Sequence, residues 1–481
     1  MFFNFFKQLK NFGSNVYNNQ IVDLLLVTAL KMYTFLVISA LILHVNSDAI
    51  CDRCVCRYEN KNNLDFQGEV VDCSYSGDVL ESNYTLPNTV HGLDLSSSNL
   101  SSIRSSSLLQ SESMVELFLN TNIIAHISSN AFELPRLRRL DLSDNLLEYI
   151  DKDIFKTMKK LEHLDLANNR FTTFSKLTFH SLSNLQEVIL DNNDIGPSLQ
   201  EVNLFDRSGF GLTKTIKSLS ISGVHLNNVP DNFFVDAYDI RELVIANNNI
   251  SDVFELPFTL EYLDLSDNPI VEIESEDFND VPALRELILN NLAITEIPEY
   301  VFSSLHSLIK LELERNKNLT SFSKFAFGRE VLDDPDDFVL ESLSLKGSRL
   351  VTLDKSLSQP FGQLVYLDLQ GNPWRCDCNL AWVKNLQIPE NDYDHFRCDT
   401  PKPFFNARVF DLKPKFFTCP PNKQHIGIAI AVVALCSMLA CIAIWLFVCL
   451  PRMKSRGNIL RQMYTPSTAY MLPMTINIQN H

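Results

Sequence analysis

Glycine is scarce in this chain, at 14 of 481 residues, and tryptophan scarcer, at 3. With so few flexible turns, no phosphate-binding glycine loop is found, and G-x-S-x-G and H-E-x-x-H are absent too. The ten histidines join no fixed Ser, His, Asp grouping. An enzyme is therefore not expected, and neither is a cofactor. No twelve-residue D-x-D-x-D-G loop occurs, so calcium is not expected either. Basic residues are also in deficit, 41 Lys and Arg against 58 Asp and Glu, for a net charge of -17. Such a balance argues against nucleic acid as the main partner. It suits a basic partner, or solubility alone.

The longest stretch lacking charge contains IGIAIAVVALCSMLACIAIWLFVCL, residues 426–450. As a helix its 25 residues would extend about 37 Å, enough to cross a hydrocarbon core of about 30 Å. Arg452, Lys454, Arg456 and Arg461 follow it with no acid, which puts residues 451–481 on the cytoplasmic side by the positive-inside rule. Near the other end, FLVISALILHV (35–45) precedes Ser47 and Ala49 in the small-x-small arrangement of a signal-peptide cleavage site. Residues 1–49 are thus expected to be a signal peptide with an N-terminal extension; a retained signal anchor is the rival, weakened by Asp23 and Lys31. The two ends carry +1 (1–49) and +4 (451–481), leaving -22 between them. The expectation is a single-pass type I protein of the plasma membrane with a large acidic exterior.

That exterior repeats itself. LRRLDLSDNLLEYI, LEHLDLANNRFTTF and LEYLDLSDNPIVEI share apolar residues at positions one, four, six and eleven, with Asn at nine. Twelve such units begin at Val90, Met114, Leu137, Leu161, Leu185, Ile216, Ile240, Leu260, Leu284, Leu308, Leu340 and Leu364, and seven of the eleven spacings are 24. The alternating L-x-L segment predicts a short strand in each, and stacking them predicts a parallel sheet wound into a solenoid. Asn at position nine predicts a ladder of carboxamides bonding the backbone of adjacent turns, broken at Ser98, Val224, Leu292 and Ser348. Phe132, Phe155, Phe179, Phe234, Phe278 and Phe302 predict an aromatic spine on the convex side. Two long units, from Leu185 and Leu308, predict local protrusions.

Over roughly residues 51–420 this pattern resembles the extracellular leucine-rich-repeat family of animal cell-surface and secreted proteins. The resemblance implies an α/β-type repeat horseshoe with a parallel sheet on its concave face, over residues 90–373. Each raw end of a solenoid needs a cover. After the last unit, GNPWRCDCNLAWV begins a C-x-C-x19-C-x20-C pattern made by Cys376, Cys378, Cys398 and Cys419, which sequence alone could pair in three ways. It resembles the family's C-terminal cap (374–420), which implies Cys376 with Cys398, Cys378 with Cys419, and Trp374 and Trp382 covering the apolar end. Cys51, Cys54, Cys56 and Cys73 resemble the N-terminal cap (50–89), implying Cys51 with Cys56 and Cys54 with Cys73; zinc is the competing reading of C-x2-C-x-C.

Acceptor sequons stand at Asn83, Asn99, Asn249 and Asn318, all in the expected exterior. The open concave face is the default binding surface. Its position-five row mixes acids with apolar anchors, so Phe118, Asp141, Asp165, Ile189, Asp264, Ile288 and Glu312, with Tyr262 and Tyr366 beside them, are the candidate ligand contacts. The expected partner is an extracellular protein ligand or receptor, in adhesion or recognition, with homophilic or receptor-complex association. An accessory subunit modulating a channel or signalling receptor, and an immune recognition receptor, are the alternatives.

Overall fold

A computed structural model describes residues 50–449, apart from 62–65, 77–78, 81–83, 174–176, 178, 200–203, 206–210, 213, 232, 335–337, 387, 389–393 and 420–422. The expected signal peptide, the tail after the apolar stretch and Asn83 lie outside the described residues. The chain divides after Phe417 into two compact units.

The first unit is organised around a fourteen-stranded sheet. Strands β1 (Val55–Lys61) and β2 (Phe66–Asp72) form an antiparallel hairpin. β2 then runs parallel to β3 (Val90–Asp94), with one register step between Glu69 and Val70. From β3 onward each repeat adds one parallel strand in register, ending at Tyr366–Asp368. The sequence pattern predicts this parallel stack; the antiparallel opening, which gives the first repeat a paired edge, is not legible in the repeat. After β3 these strands are only three residues long, because alternation needs only positions four and six to turn inward. Leu140 with Leu142 and Leu263 with Leu265 are completely buried in this way.

The turn after each strand has a fixed backbone cause. Position eight is left-handed in all twelve units. Ser97, Thr121, Asp144, Asn168, Asn192, Asn247, Asp267, Asn291 and Arg315 have φ between 52° and 58°, and Gly223, Gly347 and Gly371 between 63° and 70°. Asn, Asp and Gly tolerate this region best, which accounts for their frequency at the position. No apolar signal in the repeat marks position eight, yet the backbone constrains it.

The asparagine ladder follows directly. Asn122 accepts from the amides of Ser98 and Leu100 (2.9 and 3.0 Å) and donates to the carbonyls of Leu95 and Leu119 (3.0 and 2.9 Å). Asn316, with no exposure at all, bonds Leu289 and Leu292 at 2.9 and 2.7 Å. Two of the four predicted breaks are partial: the hydroxyls of Ser98 and Ser348 donate to Cys73 and Leu313 carbonyls of the preceding turn, at 3.3 and 3.2 Å. They keep the donor half of what asparagine supplies.

On the convex side, Phe155 stacks on Phe179 (6.5 Å between centroids) and Phe278 meets Phe302 (6.2 Å). From Phe302 the ring contacts continue through Phe327, Phe322 and Phe361 to Trp382, at 5.5, 6.1, 6.3 and 6.4 Å. The spine thus runs into the C-terminal end. The long units do not simply protrude. Leu199, Leu204, Phe205 and Leu212 of the first are buried in the core, and Phe338 of the second packs edge-on against Phe327 at 5.1 Å. Apolar side chains in an insertion gain more by folding back than by standing in water.

The disulfides are Cys51–Cys56, Cys54–Cys73 and Cys376–Cys398, and Cys378 and Cys419 are disulfide-bonded as well. Thiols consumed in this way hold no zinc, so the competing reading of the N-terminal cysteines falls. In the C-terminal segment Trp374 has no exposure; its Nε1 donates to the Leu369 carbonyl at 2.7 Å and its ring meets Phe396 edge-on at 5.7 Å. Lys384 donates to the carbonyls of Val409, Phe410 and Leu412, tying three loop residues to one ammonium. No sequence signal marked that lysine.

The second unit contains the helix Lys423–Ile444, continued by a π-helical turn Trp445–Cys449. Residues Gly427–Phe447 are long and apolar enough to cross a membrane, with a mean hydropathy of 2.7.

Candidate ligand-binding surface

In-register parallel pairing turns position five into one continuous row of twelve. Asp94, Phe118, Asp141, Asp165 and Ile189 lead it, each the register partner of the next. Ser220, Val244, Asp264, Ile288, Glu312, Ser344 and Asp368 follow. The sheet brings the predicted residues together, though unequally. Phe118, Asp141, Asp165, Ile189, Asp264 and Glu312 are half-buried, as is Tyr262 at position three, and Tyr366 is exposed. Ile288 is only 6 % exposed, so it is a core-like residue and not the open anchor that its place in the row suggests.

The aspartates also have a local duty that sequence reasoning missed. Asp94, Asp141, Asp165, Asp264 and Asp368 each accept through Oδ1 from the backbone amide two residues on, at 2.9, 3.0, 2.9, 2.9 and 2.9 Å. These are Asx turns that steer the chain from strand into corner. The signal was present as recurrent D-L-S, D-L-A and D-L-Q. Acid at this position therefore has a folding reason as well as a surface one. Asparagine would serve the first and remove the second.

Around Asp165 the wall is crowded with charge. His163 Nδ1 lies 2.6 Å from Glu187, and this hydrogen bond holds the Glu187 carboxyl below its usual range. Asp191 accepts from the Ser220 hydroxyl (2.7 Å) and the Ser222 amide (2.7 Å), while burial pushes its carboxyl up. Burial raises Asp165 further, to about 6, with Asp141, Asp191 and Glu187 adding repulsion. A carboxyl raised on folding is a destabilising charge at neutral pH. The burden lifts as pH falls through about 6 and is gone below the ordinary 3.8. Asp165→Asn, which keeps an acceptor for the Ala167 amide, should stabilise the protein by about 1 kcal/mol at pH 7.5 after allowance for solvent screening. In thermal melts the gain should vanish near pH 4; an equal gain at both pH values would point to a cause other than ionisation.

Farther along, Lys310 bridges Glu286 and Glu312 at 3.7 and 2.9 Å, and Asn290 donates to Glu312 at 2.9 Å. Arg139 lies over the Phe118 ring at 5.8 Å. The wall is thus acidic with apolar interruptions, and some of its charge is already compensated. Asn99, Asn249 and Asn318 are exposed and sit just past the strands, beyond the left-handed corner.

Comparison with known proteins follows the same outline. A family model described as leucine rich repeat matches residues 135–195, and one described as a BspA type leucine rich repeat region matches 227–334. Tsukushi of Gallus gallus is 29 % identical over 329 residues, covering 66 % of this chain and 78 % of its own length. The leucine-rich repeat transmembrane protein FLRT2 of Mus musculus is 25 % identical over 246 residues, 44 % of this chain; the chain spans only 36 % of FLRT2. The crystal structure of the mouse RP105/MD-1 complex superposes with a TM-score of 0.53 at 20 % identity, covering 69 % of this chain and 55 % of that one, a likeness of fold. Repeats, corner geometry, asparagine ladder and disulfide-bonded ends together make the fold a leucine-rich-repeat solenoid, and the relatives to which the chain is similar are extracellular leucine-rich-repeat proteins.

Proposed function

We propose that this is a type I cell-surface protein whose concave sheet binds an extracellular protein ligand, in adhesion or recognition. One observation carries the reading: an uncovered parallel sheet face on which half-buried carboxylates alternate with Phe118, Ile189 and Val244 in one unbroken row. Apolar anchors ringed by like charge suit a partner that presents lysine and arginine around an apolar centre. The apolar helix supports the membrane placement, as does the likeness to a relative described as transmembrane. In this reading residues 426–450 span the bilayer, 451–481 face the cytoplasm, and Asn83, Asn99, Asn249 and Asn318 are open to glycosylation outside.

The test is adhesion of cells displaying the full chain, to one another and to cells lacking it. Asp141→Asn, Asp165→Asn and Asp264→Asn together keep the Asx turns and remove three charges. They should weaken adhesion by about tenfold, chiefly through slower association at low salt. Undiminished adhesion of the triple variant at equal surface level would sink the concave-face reading.

A further inference from the structure

The register of the solenoid sorts charge by edge. Acids occupy the concave row and the corners, but the edge where the chain enters its strands is basic over the second and third repeats. Arg136 and Lys160 each stand one residue before a repeat's first leucine, so they occupy equivalent places on neighbouring turns. Lys159 lies beside Lys160, Lys156 lies in the short 3-10 helix Ile154–Thr157 that leads up to them, and Arg138 follows Leu137. Arg136, Lys156, Lys159 and Lys160 are exposed, and none makes an ion pair among the described residues. The nearby acids are Glu162, held by Arg138 at 2.9 Å, Glu133, and Asp151 and Asp153 at the start of the same 3-10 turn. Within a stretch carrying -22 overall, such a concentration of cations is not explained by folding.

Turns stack about 4.8 Å apart, so Arg136 and Lys160, with Lys156 and Lys159 beside them, form a short row along the edge. A linear polymer with regularly spaced anions matches such a row better than a compact acidic protein does. The described sequons also lie away from this edge. Asn99, Asn249 and Asn318 all lie where the chain leaves its strands, beyond the left-handed corner, so glycans attached there would project from the opposite side.

We propose that the strand-entry edge formed by Arg136, Arg138, Lys156, Lys159 and Lys160 binds a sulfated polysaccharide, separately from the protein ligand of the concave face. The biological setting rests on the outward placement proposed above, but the binding itself does not. Detergent-solubilised full chain should be retained on immobilised heparin at 0.15 M salt, about the physiological ionic strength. It should pass through a desulfated heparin column. Arg136→Ala, Lys156→Ala, Lys159→Ala and Lys160→Ala together should lower affinity about tenfold and flatten its dependence on salt. Arginine at the three lysine positions should retain binding, and Asp141→Asn with Asp165→Asn should not diminish it. The proposal is overturned if the wild type flows through, if desulfated heparin retains it equally, if the alanine variant binds undiminished, or if anionic lipid vesicles capture the chain and heparin does not. Antibody staining of intact cells reports the topology independently, so a failure of outward placement is distinguishable from a failure of the edge.

Discussion

Trp374→Ala is expected to lower the stability of the repeat unit by about 3–5 kcal/mol, the range for emptying a fully buried large aromatic site. The indole has no exposure, fills the end of the last turn, and donates to the Leu369 carbonyl at 2.7 Å. Alanine leaves a cavity against Phe396 and takes from the Leu369 carbonyl its shorter hydrogen bond, leaving only the one from Asn372 at 3.3 Å. The second indole of the motif behaves differently. Trp382 is 9 % exposed and its Nε1 has no hydrogen-bond partner among the described residues. Trp382→Phe therefore keeps most of the ring contact with Phe361 and removes an unsatisfied donor, and should cost less than about 1.5 kcal/mol. Thermal or denaturant unfolding of the two variants checks the contrast. Equal losses would mean that the two rings do the same work.

Removing the Cys376–Cys398 bridge by Cys376→Ser with Cys398→Ser should cost about 3 kcal/mol, from the chain entropy released across a separation of 22 residues. Both sulfurs are buried beside the last strand, so some packing is lost as well. The repeat solenoid unravels from its ends, since a terminal turn has a neighbour on one side only. Early exchange of backbone amides near Leu367 and Leu369 in the double variant would register that order. Uniform exchange along the whole solenoid would contradict it.

The repeat was legible because it is a local pattern said twelve times. Leucine at four and six and asparagine at nine carry their geometry in spacing, and the sheet and the ladder follow from it, whereas the cysteine pairs came from the family resemblance and not from spacing. Other features were written in the sequence and went unread. The aspartates of position five looked like ligand contacts, and their Asx bonds to position seven give them a reason to be there without any ligand. The frequent Asn, Asp and Gly at position eight mark a left-handed corner.

By itself the sequence determined the repeating coil and the apolar span, since each depends on residues whose spacing along the chain sets their meeting in space; the sealed ends were implied by the family resemblance. Only the tertiary structure decided which of those surface residues are open. Ile288 sinks to 6 % exposure while Ile189, four turns earlier in the same row, stays half-open. It also decided where three loop carbonyls would meet the Lys384 ammonium, and that the insertion after Leu190 would fold inward. The physical reason is that burial is a property of neighbours several turns away, and no period in the chain encodes how closely those neighbours approach.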